Sequence, residues 1–117
     1  MKSIDLVQTN PLPGQEDEFN EWYSGRHIRD ILAVPGIVTA QRYRLHPSRR
    51  VDGKGYDDLA KPFQYLAVYE IDRDPLEILK GIEEARDAGR IPWSPALDPV
   101  FSAYFYEPIG EHLEKDA

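Results

Sequence analysis

The stretch FQYLAVYEI, Phe63–Ile71, carries the strongest β-strand pattern in the chain and decides its fold. It is rich in aromatic and β-branched residues, which pack well on a pleated sheet. One parity of this strand contains Phe63, Tyr65, Ala67, Tyr69 and Ile71, and the other contains Leu66 and Val68. Because both parities are apolar, we expect both faces of the sheet to be covered at this strand.

Three more strands are predicted, two before this segment and one after it. They are Ser3–Thr9, Gly36–Leu45 and Val100–Glu107. The first alternates apolar Ile4 and Leu6 with polar Ser3 and Asp5, as a half-buried strand does. A polar loop, His46–Pro62, follows the second strand, and loops of this length are commonly functional.

Two helices alternate with these strands. The first is predicted from about Glu16 to Val34, because Pro35 biases the preceding residue away from helical dihedrals. The second begins after Asp74, a residue type that suits the N-cap position. The order β-α-β-β-α-β predicts a ferredoxin-like α+β fold, with a four-stranded antiparallel sheet and two helices on one face. We expect residues 1–117 to form one such domain.

The two helices of this fold leave the opposite face of the sheet without cover. That face would carry apolar residues of Phe63–Ile71 and, from the last strand, either Tyr104 and Tyr106 or the opposite parity. Soluble monomers rarely expose an apolar patch of that size. We therefore predict a homodimer in which the two sheets pack against each other to form an α+β barrel.

The composition excludes several classes of function. With 21 acidic and 14 basic residues the net charge is −7, which opposes binding to nucleic acid. The basic group Arg42, Arg44, Arg49 and Arg50 is interpreted as a solvated face. The chain has no cysteine, so disulfides and zinc-thiolate sites are excluded. Because no apolar run approaches ~20 residues and the first strand begins near Met1, we expect a cytoplasmic protein without a membrane span or signal peptide.

The first helix carries a histidine on its inward stripe. If Phe19 faces the sheet, helical spacing places Tyr23, His27 and Ile31 on the same side, with Trp22 and Asp30 beside them. His27 is then either a core histidine with both nitrogens satisfied or a general acid–base group that lines a pocket. In both interpretations Asp30 could hold one ring nitrogen.

Other side chains are candidates for the same pocket. Tyr65 and Tyr69, or Glu70 on the opposite parity, would project from the neighbouring strand. Asn10 would either donate its amide to a substrate oxygen or form an Asx turn before a proline. Arg42 would pair with a carboxylate such as Asp30 or Glu70, or clamp a carboxylate ligand.

The pocket has two candidate lids and no expected metal. The loop around Gly53–Gly55 and the segment that contains Trp93 could each close over it. His46 and His112 lie in a loop and in the tail, without metal-ligand spacing to His27. We therefore predict neither a metal nor another cofactor.

A series of short motifs resembles the EthD-like families of the dimeric α+β barrel superfamily. In chain order they are Asn10-Pro11, Pro13-Gly14, Glu18-Phe19, Trp22-Tyr23, His27-Ile28, Ile31-Leu32, Val34-Pro35-Gly36, Arg42-Tyr43 and the strand Tyr65–Glu70. The resemblance implies a ferredoxin-fold dimer with a pocket between helices and sheet in each subunit. His27 falls where EthD-like proteins carry a histidine on their first helix. Relatives include cofactor-independent dehydratases, cyclases, isomerases and monooxygenases, as well as haem-binding enzymes.

Two functions follow from these residues and this resemblance. The first is a cofactor-independent lyase or isomerase, in which His27 moves a proton on a hydrophobic, oxygenated aromatic or polyketide-like substrate. Tyr23, Tyr69 or Asn10 would then stabilise the enolate oxygen, while Trp22, Asp30, Arg42, Tyr65 and Trp93 surround the substrate. The second is a non-catalytic ligand-binding or accessory dimer. A cofactor-free oxygenase, or a haem-dependent one with His27 as axial ligand, is a further alternative.

Overall fold

A computed structural model describes residues 2–47 and 63–116 of the chain. Its strands are β1 (Ser3–Thr9), β2 (Ile37–Arg44), β3 (Tyr65–Ile71) and β4 (Ser102–Tyr106). All neighbouring strands are antiparallel, and their order across the sheet is β2-β3-β1-β4. This confirms the predicted ferredoxin-like architecture. The candidate lid at Gly53–Gly55 and the arginines Arg49 and Arg50 lie outside the described residues.

The first helical region is not the single α-helix predicted from the sequence. It consists of α1 (Glu16–Trp22), a π-helical turn (Tyr23–His27) and α2 (Ile28–Leu32). The π-turn has a physical basis in the spacing of the buried residues Phe19, Tyr23, His27 and Ile31, which repeat every four positions. Four residues of an α-helix turn by about 400°, so such a stripe drifts by about 40° per repeat. The wider π-turn compensates for this drift and keeps the stripe against the sheet.

The second helical region agrees with the sequence prediction. Helix α3 (Pro75–Asp87) begins after Asp74, whose side chain accepts a hydrogen bond from the backbone N–H of Leu76 at 2.8 Å. Proline is tolerated at the first helical position because a backbone N–H there would have no acceptor within the helix. Gly89, with φ +77°, ends the helix.

The turn before β2 brings that strand close to α3. Gly36 has φ +93°, and a Cβ atom built on it would lie 2.6 Å from Cδ1 of Ile78 in α3. Only glycine tolerates both the dihedral and the contact. This approach fixes α3 over the sheet beside α2.

Strand register divides the sheet residues between two faces. The helix-facing side carries the buried residues Asp5, Thr9, Tyr65, Ala67, Tyr69 and Ile71. The outer face carries Ile4, Leu6, Tyr43, Leu66, Val68, Tyr104 and Tyr106. In β1 it is therefore the polar parity that turns toward the helices, because β1 is central and its outer parity belongs to the second apolar face.

The outer face is not covered by any described part of the chain. Tyr104 is 63% exposed, and Tyr43 and Tyr106 are each about half exposed, although all three are large and aromatic. Within residues 2–47 and 63–116, no helix is long and apolar enough to cross a membrane.

Candidate functional site in the cavity between helices and sheet

A cavity of about 110 Å³ lies between the helices and the helix-facing side of the sheet. Its sheet wall is formed by Asp5, Val7, Tyr69 and Ala103, and its helix wall by Tyr23, His27, Ile31, Ile82 and Arg86. Ile91, Trp93 and Phe101, from the segment that leads into β4, complete it. The cavity is mostly apolar and contains a small number of polar groups, as small-molecule sites do.

His27 is buried in this cavity, and its Nδ1 atom has no hydrogen-bond partner among the described residues. The residue is 6% exposed, and the Nδ1 atom itself is buried. The ring stacks on Trp22 at a centroid distance of 4.5 Å, and Trp93 lies 5.7 Å away on the cavity side. Buried polar groups are almost always paired in proteins, so an unpaired nitrogen requires an explanation.

The environment keeps His27 neutral. Its pKa is lowered from 6.5 to about 4, mainly by burial; the charge of Asp30 opposes this shift, and that of Arg42 contributes to it. At neutral pH the imidazole is therefore uncharged, with one ring nitrogen able to accept a proton.

Asp5 is the second buried ionisable group of the cavity, and the sequence analysis did not select it. It is 5% exposed and lies opposite Tyr69 of β3 and Phe105 of β4. Burial raises its pKa from 3.8 to about 6. The signal that could have identified it is the double apolar pattern of the sheet, because a central strand with an apolar outer parity must turn its polar parity inward.

Tyr23 and Tyr69 bring their hydroxyl groups together beside Asp5. The two oxygens are 3.4 Å apart, and either group can donate to the other. Burial raises the pKa of both phenols, and the charge of Asp5 raises them further. A pair of hydroxyl groups uses one hydrogen between them, so one O–H can donate to a ligand oxygen.

Arg42 lies on the helix-facing side, which corrects its interpretation as part of a solvated face. Its guanidinium carbon is 4.4 Å from the ring centroid of Tyr23, and its nitrogens donate to Ser24 Oγ at 2.6 Å and Asn20 Oδ1 at 2.9 Å. The predicted pairing with Asp30 or Glu70 is absent. A cation on an aromatic face is stabilised without a carboxylate, and here Arg42 supports Tyr23 from behind.

Asp30 does not hold His27. Its carboxylate accepts a hydrogen bond from Nε of Arg26 at 3.2 Å, one helical turn away. The π-turn ends at His27, and α2 then turns Asp30 to the flank of the helix, where an i, i+4 pair with Arg26 forms. This leaves the imidazole without the orienting carboxylate that the spacing had predicted.

Asn10 and Tyr65 lie outside the walls of the cavity. Asn10 Oδ1 accepts from the backbone N–H of Gln64 at 2.8 Å, and its carbonyl accepts from Asp98. Asn10 therefore connects the end of β1 to two neighbouring segments by hydrogen bonds. Its side chain does not form the predicted Asx turn. The Tyr65 hydroxyl donates to Glu16 and accepts from Asn20. The other predicted residues that meet in one place are Trp22, Tyr23, His27, Tyr69 and Trp93.

A larger cleft of about 760 Å³ lies between α2 and α3. Its walls include Arg26, Asp30, Arg73, Glu77 and Lys80. We place the functional site in the smaller cavity, because His27 Nδ1, the one buried side-chain atom without a hydrogen-bond partner among the described residues, belongs to it. In residues 2–47 and 63–116, no group of three His, Asp or Glu side chains could hold a metal ion.

Comparison with known proteins shows what class of protein this is. No protein-family model and no curated protein matches the chain. Solved structures share its fold, including an EthD family protein of Bacillus halodurans, with a TM-score of 0.61, 16% identity and coverage of 92% of this chain and 99% of that one. The resemblance noted in the sequence is therefore confirmed at the level of the fold: the chain is a ferredoxin-like α+β protein.

Two other solved structures of this fold are a haem-bound protein and a dimeric protein. The haem degrader MhuD of Mycobacterium tuberculosis, solved with two haems in its active site, matches with a TM-score of 0.54, 14% identity and coverage of 93% and 97%. A dimeric ferredoxin-like protein of Jannaschia matches with a TM-score of 0.53, 16% identity and coverage of 92% and 100%. At these identities the likeness concerns the fold alone.

The cavity of this chain does not fit a haem. Haem is larger than the drug-sized ligands that occupy pockets of about 300–1,000 Å³, so a cavity of about 110 Å³ has room only for a ligand much smaller than haem.

Proposed function

We propose that this protein is a cofactor-independent enzyme that moves protons on a small hydrophobic, oxygenated ligand, aromatic or polyketide-like, as a lyase or isomerase. The observation that carries the proposal is the unpartnered, buried Nδ1 of His27 in a cavity that also holds hydroxyl groups. If the imidazole served only to pack, an apolar ring would fill the same space without loss of stability. If it binds a ligand, its nitrogens are required for the hydrogen bond or the proton transfer.

His27 is suited to accept a proton from a carbon next to a carbonyl group. It is neutral at physiological pH because burial has lowered its pKa to about 4. When it takes the proton, negative charge moves to the carbonyl oxygen of the ligand. The Tyr23–Tyr69 pair can donate a hydrogen bond to that oxygen inside an apolar cavity, where such bonds are strong. Dehydration, isomerisation and cyclisation share this step.

The working unit of this enzyme is a homodimer in our proposal. The outer face of the sheet is apolar and uncovered, and pairing two such faces would bury both. The dimeric state of the Jannaschia protein of the same fold supports this arrangement.

The first experiment compares wild type with His27→Phe in a thermal-shift screen against aromatic ketones, hydroxyacids, lactones and haem. Phenylalanine keeps a ring between Trp22 and Trp93 but removes both nitrogens. Because Nδ1 has no hydrogen-bond partner among residues 2–47 and 63–116, we expect the variant to fold with an unchanged or higher melting temperature. A ligand that raises the wild-type midpoint by mass action should shift the variant much less.

Turnover assays with the ligand found in this way separate the two functions. General acid–base catalysis is worth about 10²–10⁴-fold, so His27→Phe should lower the rate by that order. Binding without turnover would favour the ligand-binding alternative. A variant that retains full turnover, or that melts several degrees earlier without any ligand effect, would contradict a catalytic His27.

A further inference from the structure

Proton transfer in an apolar cavity needs a donor as well as an acceptor. A base that acts alone leaves an enolate in surroundings that solvate it poorly. The Tyr23–Tyr69 pair offers one hydrogen bond to this charge, but the pKa of each phenol is raised by burial, which makes both reluctant to release a proton. The cavity contains one other ionisable group that could supply a proton.

We propose that the carboxyl group of Asp5 is the general acid of this cavity, delivering a proton to the ligand oxygen from the sheet side while His27 takes one on the helix side. The inference rests on the proposed function and adds a catalytic residue to it. Asp5 belongs to the central strand β1, lines the cavity and is 5% exposed. Burial is the one cause of its shifted pKa, with no hydrogen bond or neighbouring charge contributing, so its oxygens are available to a ligand in the cavity.

The position of Asp5 relative to the hydroxyl pair supports this role. Asp5 is directly opposite Tyr69 in the β1–β3 register, and its charge acts on both phenols. The carboxyl group and the hydroxyl pair therefore approach the same part of the cavity. His27 approaches from the π-turn on the opposite wall. A ketone between the two walls would direct its oxygen to the sheet and its α-carbon to the helix.

The step balances without an oxidant or reductant. The C–H bond next to the carbonyl breaks, and its proton goes to a ring nitrogen of His27. The electron pair forms a carbon–carbon double bond, and the carbonyl oxygen takes the proton of Asp5. The products are a neutral enol, an imidazolium and a carboxylate. Return of a proton to the same or another carbon, with the enol proton passing back to Asp5, restores the enzyme.

The ionisable surroundings define the pH range in which this pair works. Tyr69 lies beside Asp5 on the sheet wall, Tyr23, His27 and Arg86 line the helix wall, and Arg42 lies behind Tyr23. Burial places the pKa of Asp5 at about 6 and that of His27 at about 4. Both groups carry the protonation state that the step requires between these values. The rate should therefore follow a bell-shaped curve, with an acid limb due to His27 and a basic limb due to Asp5.

The test follows exchange of α-protons for deuterium in acetophenone, 2-hydroxyacetophenone and 1-tetralone, measured by proton NMR in D₂O across this pH range. Asp5→Asn preserves the shape of the side chain and should lower enzyme-catalysed exchange by about 10²–10⁴-fold and abolish the basic limb. Thr9→Val is the matched control, because Thr9 is equally buried on the same face of β1 but lies outside the cavity walls. It should leave both the rate and the two limbs unchanged.

The outcomes separate the two proposals. Exchange by wild type that persists in Asp5→Asn with the same basic limb would overturn the role of Asp5 and leave the proposed function standing. Absence of exchange and of thermal shifts for all three ketones in wild type would overturn the proposed function itself. Titration of the Asp5 carboxyl carbon by ¹³C NMR is an independent measurement, and a midpoint near 3.8 would contradict a neutral acid in this cavity.

Discussion

At the scale of single residues, the cavity holds a base and an acid that are both uncharged between about pH 4 and 6. Unfolding exposes both to water, where the histidine recovers a pKa of 6.5 and the aspartate one of 3.8. Between about pH 4 and 6 the folded pair carries one proton on Asp5, and the unfolded pair carries one proton on His27. The number of protons is the same in the two states, but their location differs.

This exchange predicts opposite pH dependences for two single variants. Stability contributed by neutral His27 is present above pH 6.5 and is lost as the pH falls toward 4, whereas the Asp5 contribution grows as the pH falls from 6 to 3.8. Each amounts to about 3 kcal/mol at 1.36 kcal/mol per unit. In wild type the two contributions cancel. As the pH falls from 6.5 to 4, the stability of Asp5→Asn relative to wild type should decrease. Over the same range, the stability of His27→Phe relative to wild type should increase.

Urea unfolding of the three proteins at several pH values measures these differences. At pH 8 the Asp5→Asn protein should be the more stable by up to about 3 kcal/mol, because the wild type then buries an ionised carboxylate. Parallel stability curves for all three proteins would show that neither group is shifted by burial.

At the scale of secondary-structure elements, the π-turn is what the sequence could not predict directly. The binary pattern placed the first helix, its inward stripe and His27 correctly, because apolar spacing determines which side of a helix packs. The pattern does not specify the helix type for a stripe with four-residue spacing. The stripe could lie on a regular α-helix, where it rotates gradually around the axis, or on a helix with a wider turn, where it stays on one side. Trp22 and His27 are five residues apart and would point about 140° away from each other in an α-helix, yet their rings stack at 4.5 Å.

The segment before β4 is the element that closes the cavity over His27. Trp93 is 49% exposed, and its ring contacts the cavity through His27 and Phe101. Trp93→Ala should admit water to the imidazole. Because burial is the largest cause of the lowered His27 pKa, that pKa should rise from about 4 toward 6.5. NMR titration of the histidine ring measures the change.

Tyr106→Ala provides the control for this variant, since Tyr106 is about half exposed on the outer face of the sheet. It removes an aromatic ring without opening the cavity, so the His27 titration should stay at its wild-type midpoint. Equal effects of the two variants would mean that Trp93 does not shield His27.

At the scale of the whole molecule, one face of the sheet forms a wall of the cavity, and the other is the uncovered outer face. The ferredoxin-like topology was predictable because the order of strands and helices identifies it. That order follows from local signals: hydrophobic periodicity, the Asp-Pro helix start and the Pro-Gly helix stop. The site was predictable in part. Contacts such as Asn10 with Gln64, or Arg42 with Tyr23, depend on register and packing between distant segments, which a single sequence does not encode locally.

The outer face of the sheet predicts the assembly. Leu66→Glu places a charge on this face, and a symmetric dimer would bring two such charges into one interface. We expect this variant to sediment as a monomer at micromolar concentration, where the wild type sediments as a dimer. Leu76→Glu is the control, because Leu76 is an exposed leucine of α3. A monomeric wild type would contradict the predicted interface.

The π-turn also affects how this chain should be aligned with others. A turn closed by i→i+5 hydrogen bonds contains one residue more than an α-turn of the same span. A relative that crosses this part of the sheet with an unbroken α-helix would therefore have one residue fewer between Phe19 and Ile31. Alignments that forbid gaps inside helices would then displace the residues on one side of the turn, and histidines equivalent to His27 would be paired with the wrong positions. A single-residue gap within Tyr23–His27 is the correction that the geometry requires.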